Sequence, residues 1–269
     1  MRLITQTQAV MAKRSVLWTL VIRDLRVRYA QSVLGYVWTI LDPLLMSLIY
    51  FLVFVYIFQR KELGHEPYFL FLIAGLLPWQ WFASVVKESS RALIQDARLV
   101  RSTNLPREIW VARVVLSKGV EYLLSLPVLV LFAIMYMILG KAHLNGWLVL
   151  LPVGIVVQFA FLVGLGLILA PVTALVTDMQ RVIGIILRML FYITPVIYAA
   201  RLVPAPYDKV MWLNPMTGVL EMMRAGFFSH DTFPIVWGAI AVCLVVTAVT
   251  LQVGFTVFAR LERAVLKEI

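Results

Sequence analysis

The chain offers few groups that could do covalent chemistry. It holds 14 carboxylates, three histidines and one cysteine in 269 residues. Acid–base or hydrolytic work needs acids, bases or metal ligands that converge on one place. Asp42, Glu121 and Asp178 each stand near the end of a long apolar run, but no pair of them has a telling spacing. Glu88, Asp96 and Glu108 read as solvated helix charges. His65, His143 and His230 lie far apart, each in a short polar connection. Cys243 is alone in an apolar run, so cysteine can build neither a disulfide framework nor a metal site. A phosphate-binding loop would read G-x-x-x-x-G-K-[ST]. The only Gly-Lys pair, Gly140-Lys141, lacks both the earlier glycine and the following hydroxyl. The residues therefore predict no catalytic group, no metal and no cofactor of the chain's own.

What must position these few groups is set by composition. The chain is 62% hydrophobic and only 14% charged, against about 45–50% and about 25% in soluble domains. So few charges cannot cover a soluble surface, and an all-α integral membrane protein is expected. The net charge of +10 would suggest nucleic acid in a soluble protein. Here it reads as Lys and Arg retained on the inner side of a membrane, against anionic lipid. No nucleic-acid partner is expected. The first 34 residues lack an apolar core of signal-peptide type, so no cleavage is expected.

A helix crossing the hydrocarbon needs about 20 mostly apolar residues. Six segments qualify: 36–58, 68–86, 110–139, 147–176, 182–199 and 233–259. With the N-terminus inside, 18 of the 24 Lys and Arg residues fall on the inner side. That bias predicts both termini in the cytoplasm, with 260–269 as a cytoplasmic tail. A secondary transporter would carry ionisable or unwound mid-membrane sites in related halves, yet spans four and six hold no charge.

Three segments are not spans. Residues 1–34 are basic, with Arg23, Arg26 and Arg28, and Trp18, Ile22, Leu25 and Tyr29 recur on one helical face. An amphipathic helix in the cytoplasmic interface is predicted. It leads into a first span interrupted near its start by Asp42-Pro43. Residues 91–101, between spans two and three, predict a short cytoplasmic helix with Leu93, Ala97 and Val100 on one face. Residues 202–232 are apolar yet too short on either side of Leu213-Asn214-Pro215 to span, which suits two helices dipping into the outer leaflet. Tyr50, Phe54 and Phe58 form a stripe at i, i+4, i+8. Such stripes pack or face lipid in most membrane helices, but with Phe191, Tyr192 and Tyr198 they could also make a sugar-contacting wall. Gly154, Gly164 and Gly166 predict close helix packing.

The stretch RDLRVRYAQSVLGYVWTILDPLLMSLIYFLVF resembles the start of permease subunits of type-2 ABC exporters of cell-surface polysaccharides. AGLLPWQWF, STNLPREIW, LRMLFYITPVIY and WLNPMTG are similar to that family in order and spacing, over nearly the whole chain. RSTNLPREIW is most similar to actinobacterial galactan exporters. The resemblance implies a homodimer in the bacterial inner membrane with two separate ABC ATPase subunits, which would hold the ATP and Mg. It implies export of a lipid-linked glycan of the O-antigen, teichoic acid or galactan type on an undecaprenyl-type carrier. Arg23, Arg26, Arg28, Arg91, Asp96, Arg98 and Arg101 would then meet the ATPases, with 91–101 as coupling helix. Tyr36, Asp42, Tyr50, Phe54, Phe58, Phe191, Tyr192 and Tyr198 would line the path. Trp212, Asn214, Pro215 and Glu221 would form a re-entrant gate. An exporter of drugs or other small amphipathic molecules is the alternative.

Overall fold

The structure, a computed structural model, describes residues 8–30, 32–59, 64–228 and 234–268. His230, the loop cations Arg60 and Lys61, residues 229–232 of the predicted outer segment and Phe233 at the predicted start of the last span lie outside these. Among the described residues the regular structure is helical. The helices are α1 (Arg14–Tyr29), α2 (Trp38–Phe51), α3 (Tyr68–Ser89), α4 (Ala92–Gln95), α5 (Ala97–Ser102) and α6 (Glu108–Ile138). There follow α7 (Leu150–Leu175), α8 (Met179–Ile193), α9 (Tyr207–Trp212), α10 (Pro215–Arg224) and α11 (Trp237–Glu268).

Five helical stretches are long and apolar enough to cross a membrane: Gly35–Ile57, Tyr68–Ser89, Glu108–Ile138, Gly146–Leu175 and Trp237–Glu268. They match five of the six expected spans. The fifth expected span, 182–199, is helical only to Ile193. At about 1.5 Å per residue the 15 residues of α8 reach about 22 Å, short of the hydrocarbon thickness of about 30 Å. The helix stops before Pro195, which has no N–H to give and biases Thr194 to extended backbone.

One other expectation is corrected. The segment 91–101 is two short helices, α4 and α5, with Asp96 between them at φ −109° and ψ 27°. The expected tail is helical as far as it is described: α11 runs unbroken through Arg260 to Glu268.

α3 is the axis of the core. Of its most apolar window 78% is buried, against 11% for the first span. α7 packs most extensively on α11, and α10 wedges between α7, α11 and α3. Glycine makes the α7–α11 approach possible. A Cβ on Gly164 would lie 2.7 Å from the backbone nitrogen of Leu251, and one on Gly254 would meet the Gly164 carbonyl. α1 lies on α6, while α2 touches α3 and α6 along one side and leaves the rest of its surface bare.

Candidate functional site

Three constellations share the molecule. The first is a charged collar. α1 buries Leu17, Val21 and Leu25, spaced four apart, and leaves Trp18 exposed. The buried face is thus offset from the predicted one. Two groups of ion pairs fix the helix in place. Arg113 of α6 sits between Asp24 and Asp96, its Nε 2.9 Å from Asp24, and Arg23 reaches both carboxylates at 3.3 and 3.4 Å. Five residues on, Arg28 is 2.8 Å from Glu88 of α3 and 2.9 Å from Glu121 of α6, and Lys118 is 2.9 Å from each of those two. Burial disfavours the Arg28 charge, but Glu88 and Glu121 outweigh it and raise its pKa above the ordinary arginine value. The break at Asp96 has its cause here: its carboxylate is held by Arg113 and Arg23. Arg26, Arg91, Arg98 and Arg101 are exposed.

Beside the second group of charges opens a cleft of about 410 Å³ between α1, α2, α3 and α6. Asp42 lines it with Trp38, Gln80, Trp81, Lys118 and Glu121. Trp81 lies flat on Tyr122, with ring centroids 4.8 Å apart. Tyr36 turns away to Tyr29, at 4.4 Å. Pro43 is tolerated inside α2, where Ser47 Oγ donates to its carbonyl at 2.7 Å.

The second constellation is a row of rings. Phe58 meets Phe54 at 6.0 Å, Phe54 meets Tyr50 at 6.3 Å, Tyr50 meets Phe191 at 5.8 Å, and Phe191 meets Tyr192 at 5.3 Å. Five of the eight predicted path residues therefore make one continuous strip across α2 and α8. The stripe passes through a π-helical stretch, Leu52–Ile57, that continues α2. Asp42 stands apart at the cleft, and Tyr36 lies against Tyr29. Tyr198 points its hydroxyl back to the carbonyls of Tyr192 and Ile193, at 3.0 and 2.8 Å, and so ties off the end of α8.

The third is the irregular stretch after α8. Residues 194–197 are buried without regular structure. Backbone polar groups so placed must find partners, and side chains supply them. Arg224 of α10 donates to the carbonyls of Pro195 at 2.7 Å and Val196 at 2.6 Å. Tyr68 of α3 donates to the Ile197 carbonyl at 2.8 Å. Asn214 donates to the Thr194 hydroxyl at 2.7 Å and caps α10 by accepting from the Met216 N–H at 3.1 Å. Pro215 takes the first helical turn, where no donor is needed. Glu221 is buried and faces the Val236 N–H. Trp212 lies over Gly238 of α11. Asn214 and Pro215 thus start α10 beside the irregular stretch, while Glu221 faces the approach to α11 and Trp212 serves the packing of α9 on α11.

The sequence reading missed Arg224, counting it as an outer-loop cation. The arginine is 1% exposed, with its guanidinium 3.6 Å from the centroid of Phe71. Gly75 leaves room for it: a Cβ there would collide with the guanidinium. One signal was available. Glu221 and Arg224 are three apart in MTGVLEMMRAGFF, an otherwise uncharged run, and long-buried charge in such a run must have protein partners.

Among the described residues, no three His, Cys, Asp or Glu side chains cluster as metal ligands would. Fold and site together define a multi-pass membrane protein whose distinctive surfaces are a charged collar, an aromatic strip and a side-chain-supported break. Residues 15–228 match the ABC-2 type transporter family, and the chain belongs to that family. It is 31% identical over 219 residues to the O-antigen export system permease protein RfbA of Klebsiella pneumoniae, covering 80% of this chain and 82% of that one. The Myxococcus xanthus protein of the same name is 31% identical over 223 residues, covering 81% and 82%. The polysialic acid transport protein KpsM of Escherichia coli is 27% identical over 257 residues, covering 92% and 93%.

Proposed function

We propose that the chain is the membrane subunit of an ATP-driven exporter that carries a lipid-linked cell-surface polysaccharide outward across the bacterial inner membrane. It works as a homodimer with two separate ATPase subunits, which bind ATP and Mg. The glycan is of the O-antigen, capsule or galactan kind, on an undecaprenyl-type carrier. The observation that carries this is the strip from Phe58 to Tyr192 on the two least buried apolar elements, α2 and α8. Aromatic faces give a sugar polymer apolar contact without deep pockets in which it would lodge. The relatives named above supply the substrate class.

The remaining parts fit the same reading. Six crossings place both termini inside, with α8 and the stretch 194–199 together making the fifth. Non-helical backbone at membrane depth is tolerated only where it is buried in protein or lines a water-filled cavity, and Arg224, Tyr68 and Asn214 meet that condition. α9 and α10 are then the outer gate, held to the path by Asn214 and Arg224. Arg26, Arg98 and Arg101 face the ATPases, while Arg23, Arg28 and Asp96 transmit by locking α1, α4 and α5 to α6. Asp42 sits at the inner mouth.

The test is depletion of the protein in its host. Lipid-linked glycan should accumulate inside, and the tagged protein should co-purify with an ABC ATPase. Unchanged surface glycan after depletion would refute the reading.

A further inference from the structure

The positive charges around α1 and α6 are matched by carboxylates. Those between α3 and α8 are not. A second cleft, of about 300 Å³, lies where the end of α3 meets α8, lined by Lys87, Ser90, Arg91, Gln180, Gly184 and Arg188 along with two apolar residues of α8. Three cations share it, and no carboxylate lines it. None of the ion pairs among the described residues includes Lys87, Arg91 or Arg188, whereas Arg23, Arg28, Arg113 and Lys118 are all paired.

The cleft is also shaped. Arg91 Nε donates to Gln180 Oε1 at 3.0 Å, which fixes the guanidinium against α8. No hydrogen bond among the described residues uses its Nη groups. A Cβ on Gly184 would meet nothing within 4 Å, so the floor is open. Arg188 lies nine residues into α8, about 13 Å along its axis. Its neighbours Ile185, Ile186 and Met189 are exposed apolar surface. An ionisable side chain among lipid-facing residues is costly without a partner. Retention of positive charge on one side of the membrane would need no such convergence; exposed cations such as Lys13, Arg14 and Arg26 already serve it. Basic pockets between membrane helices take phosphorylated headgroups, and the bare apolar face beside this one suits the attached chain.

We propose that the α3–α8 cleft binds the phosphate or diphosphate headgroup of a membrane lipid, with Lys87, Arg91 and Arg188 as ligands to its oxygens. The inference rests on the export reading for the leaflet the cleft faces and for the lipid that fills it, but headgroup binding itself does not depend on that reading. Because Arg91 immediately precedes α4, an occupied cleft is in direct contact with the segment proposed to meet the ATPases.

The test is binding by the full-length protein in phosphatidylcholine nanodiscs. The probes are a polyisoprenyl diphosphate and the matching uncharged polyisoprenol. The diphosphate should bind about tenfold or more tighter, and Arg188→Gln and Lys87→Gln should each weaken it about tenfold, as expected for a lost charge-assisted hydrogen bond. Arg188→Lys should keep most of the affinity, and Lys13→Gln all of it. Competition by inorganic diphosphate at comparable concentration would name a soluble anion as the source of the same chemistry; weak competition would name the lipid. Equal binding of both polyisoprenyl probes would overturn the proposal. So would a Lys13→Gln effect as large as that of Arg188→Gln, since the attraction would then be diffuse. The measurement involves neither ATPase nor export, so its failure leaves the export reading standing.

Discussion

At the scale of single residues, Arg224 joins parts of the chain that no local rule would connect. Its guanidinium fills the space left by Gly75, lies over Phe71 and holds two carbonyls of the broken stretch. Gly75→Ala should therefore act through Arg224. Overpacking of this kind costs about 1–3 kcal/mol, and carbonyls that lose a buried donor cost about 1–3 kcal/mol more. A lowered thermal unfolding midpoint in detergent is the expected result, and an unchanged midpoint would remove Arg224 from its assigned role. His65 offers a second test at this scale. It is buried against Phe71 and Phe228 and faces Arg201, with Arg224 nearby. Burial first, then those two positive charges, lower its pKa to about 4. The unfolded chain thus takes up the proton more readily than the folded one. The contribution of neutral His65 is complete above the ordinary histidine value of about 6.5 and is lost as pH falls towards 4. Thermal midpoints between pH 7 and 4 should fall more steeply in the wild type than in His65→Asn. Parallel curves would show that His65 takes up its proton as readily in the folded chain as in the unfolded one.

At the scale of elements, α1 is held by charge as much as by its three buried apolar residues. Arg28, Glu88, Lys118 and Glu121 form a closed ring of pairs across α1, α3 and α6. Removing Arg28 leaves two carboxylates sharing one lysine. Arg28→Gln should destabilise by about 1.5–3 kcal/mol, the range for hydrogen bonds to charged groups. A double-mutant cycle with Glu121→Gln should return a coupling of about 0.5 kcal/mol or more; strict additivity would reduce the ring to solvated surface charges. The five long apolar stretches were legible in the sequence, because about 20 uncharged residues admit no other solution in a bilayer. The stripe of Tyr50, Phe54 and Phe58 was equally legible, since i, i+4, i+8 spacing does not depend on tertiary contacts. The register of α1 was not: Trp18 and Leu17 are both apolar, and only the surface of α6 selects which is buried. The break at Asp96 was hidden for the same reason, because Arg113 is 17 residues away and reaches it only in three dimensions.

At the scale of the whole molecule, five crossings and six divide the 24 Lys and Arg residues equally, 18 on the side of α1 and 6 on the other, so the choice between them falls to packing and not to charge. Five crossings would put Arg260, Arg263 and Lys267 on the opposite face from the α1 collar. Six put them on the same face, and the sixth can come only from α8 with its irregular continuation. The support of Pro195, Val196 and Ile197 by Arg224 and Tyr68 favours the latter, since carbonyls exposed in an aqueous loop would not need buried donors. The two arrangements separate cleanly by labelling. With Cys243, which is buried, replaced by serine, single cysteines at Lys267 and at Tyr207 would be probed in intact cells with an impermeant maleimide. Six crossings predict labelling at 207 and protection at 267 until the membrane is opened. Protection at 207 with labelling at 267 would show that α8 turns back without crossing, and the strip from Phe58 to Tyr192 could then no longer run along a path between the two faces.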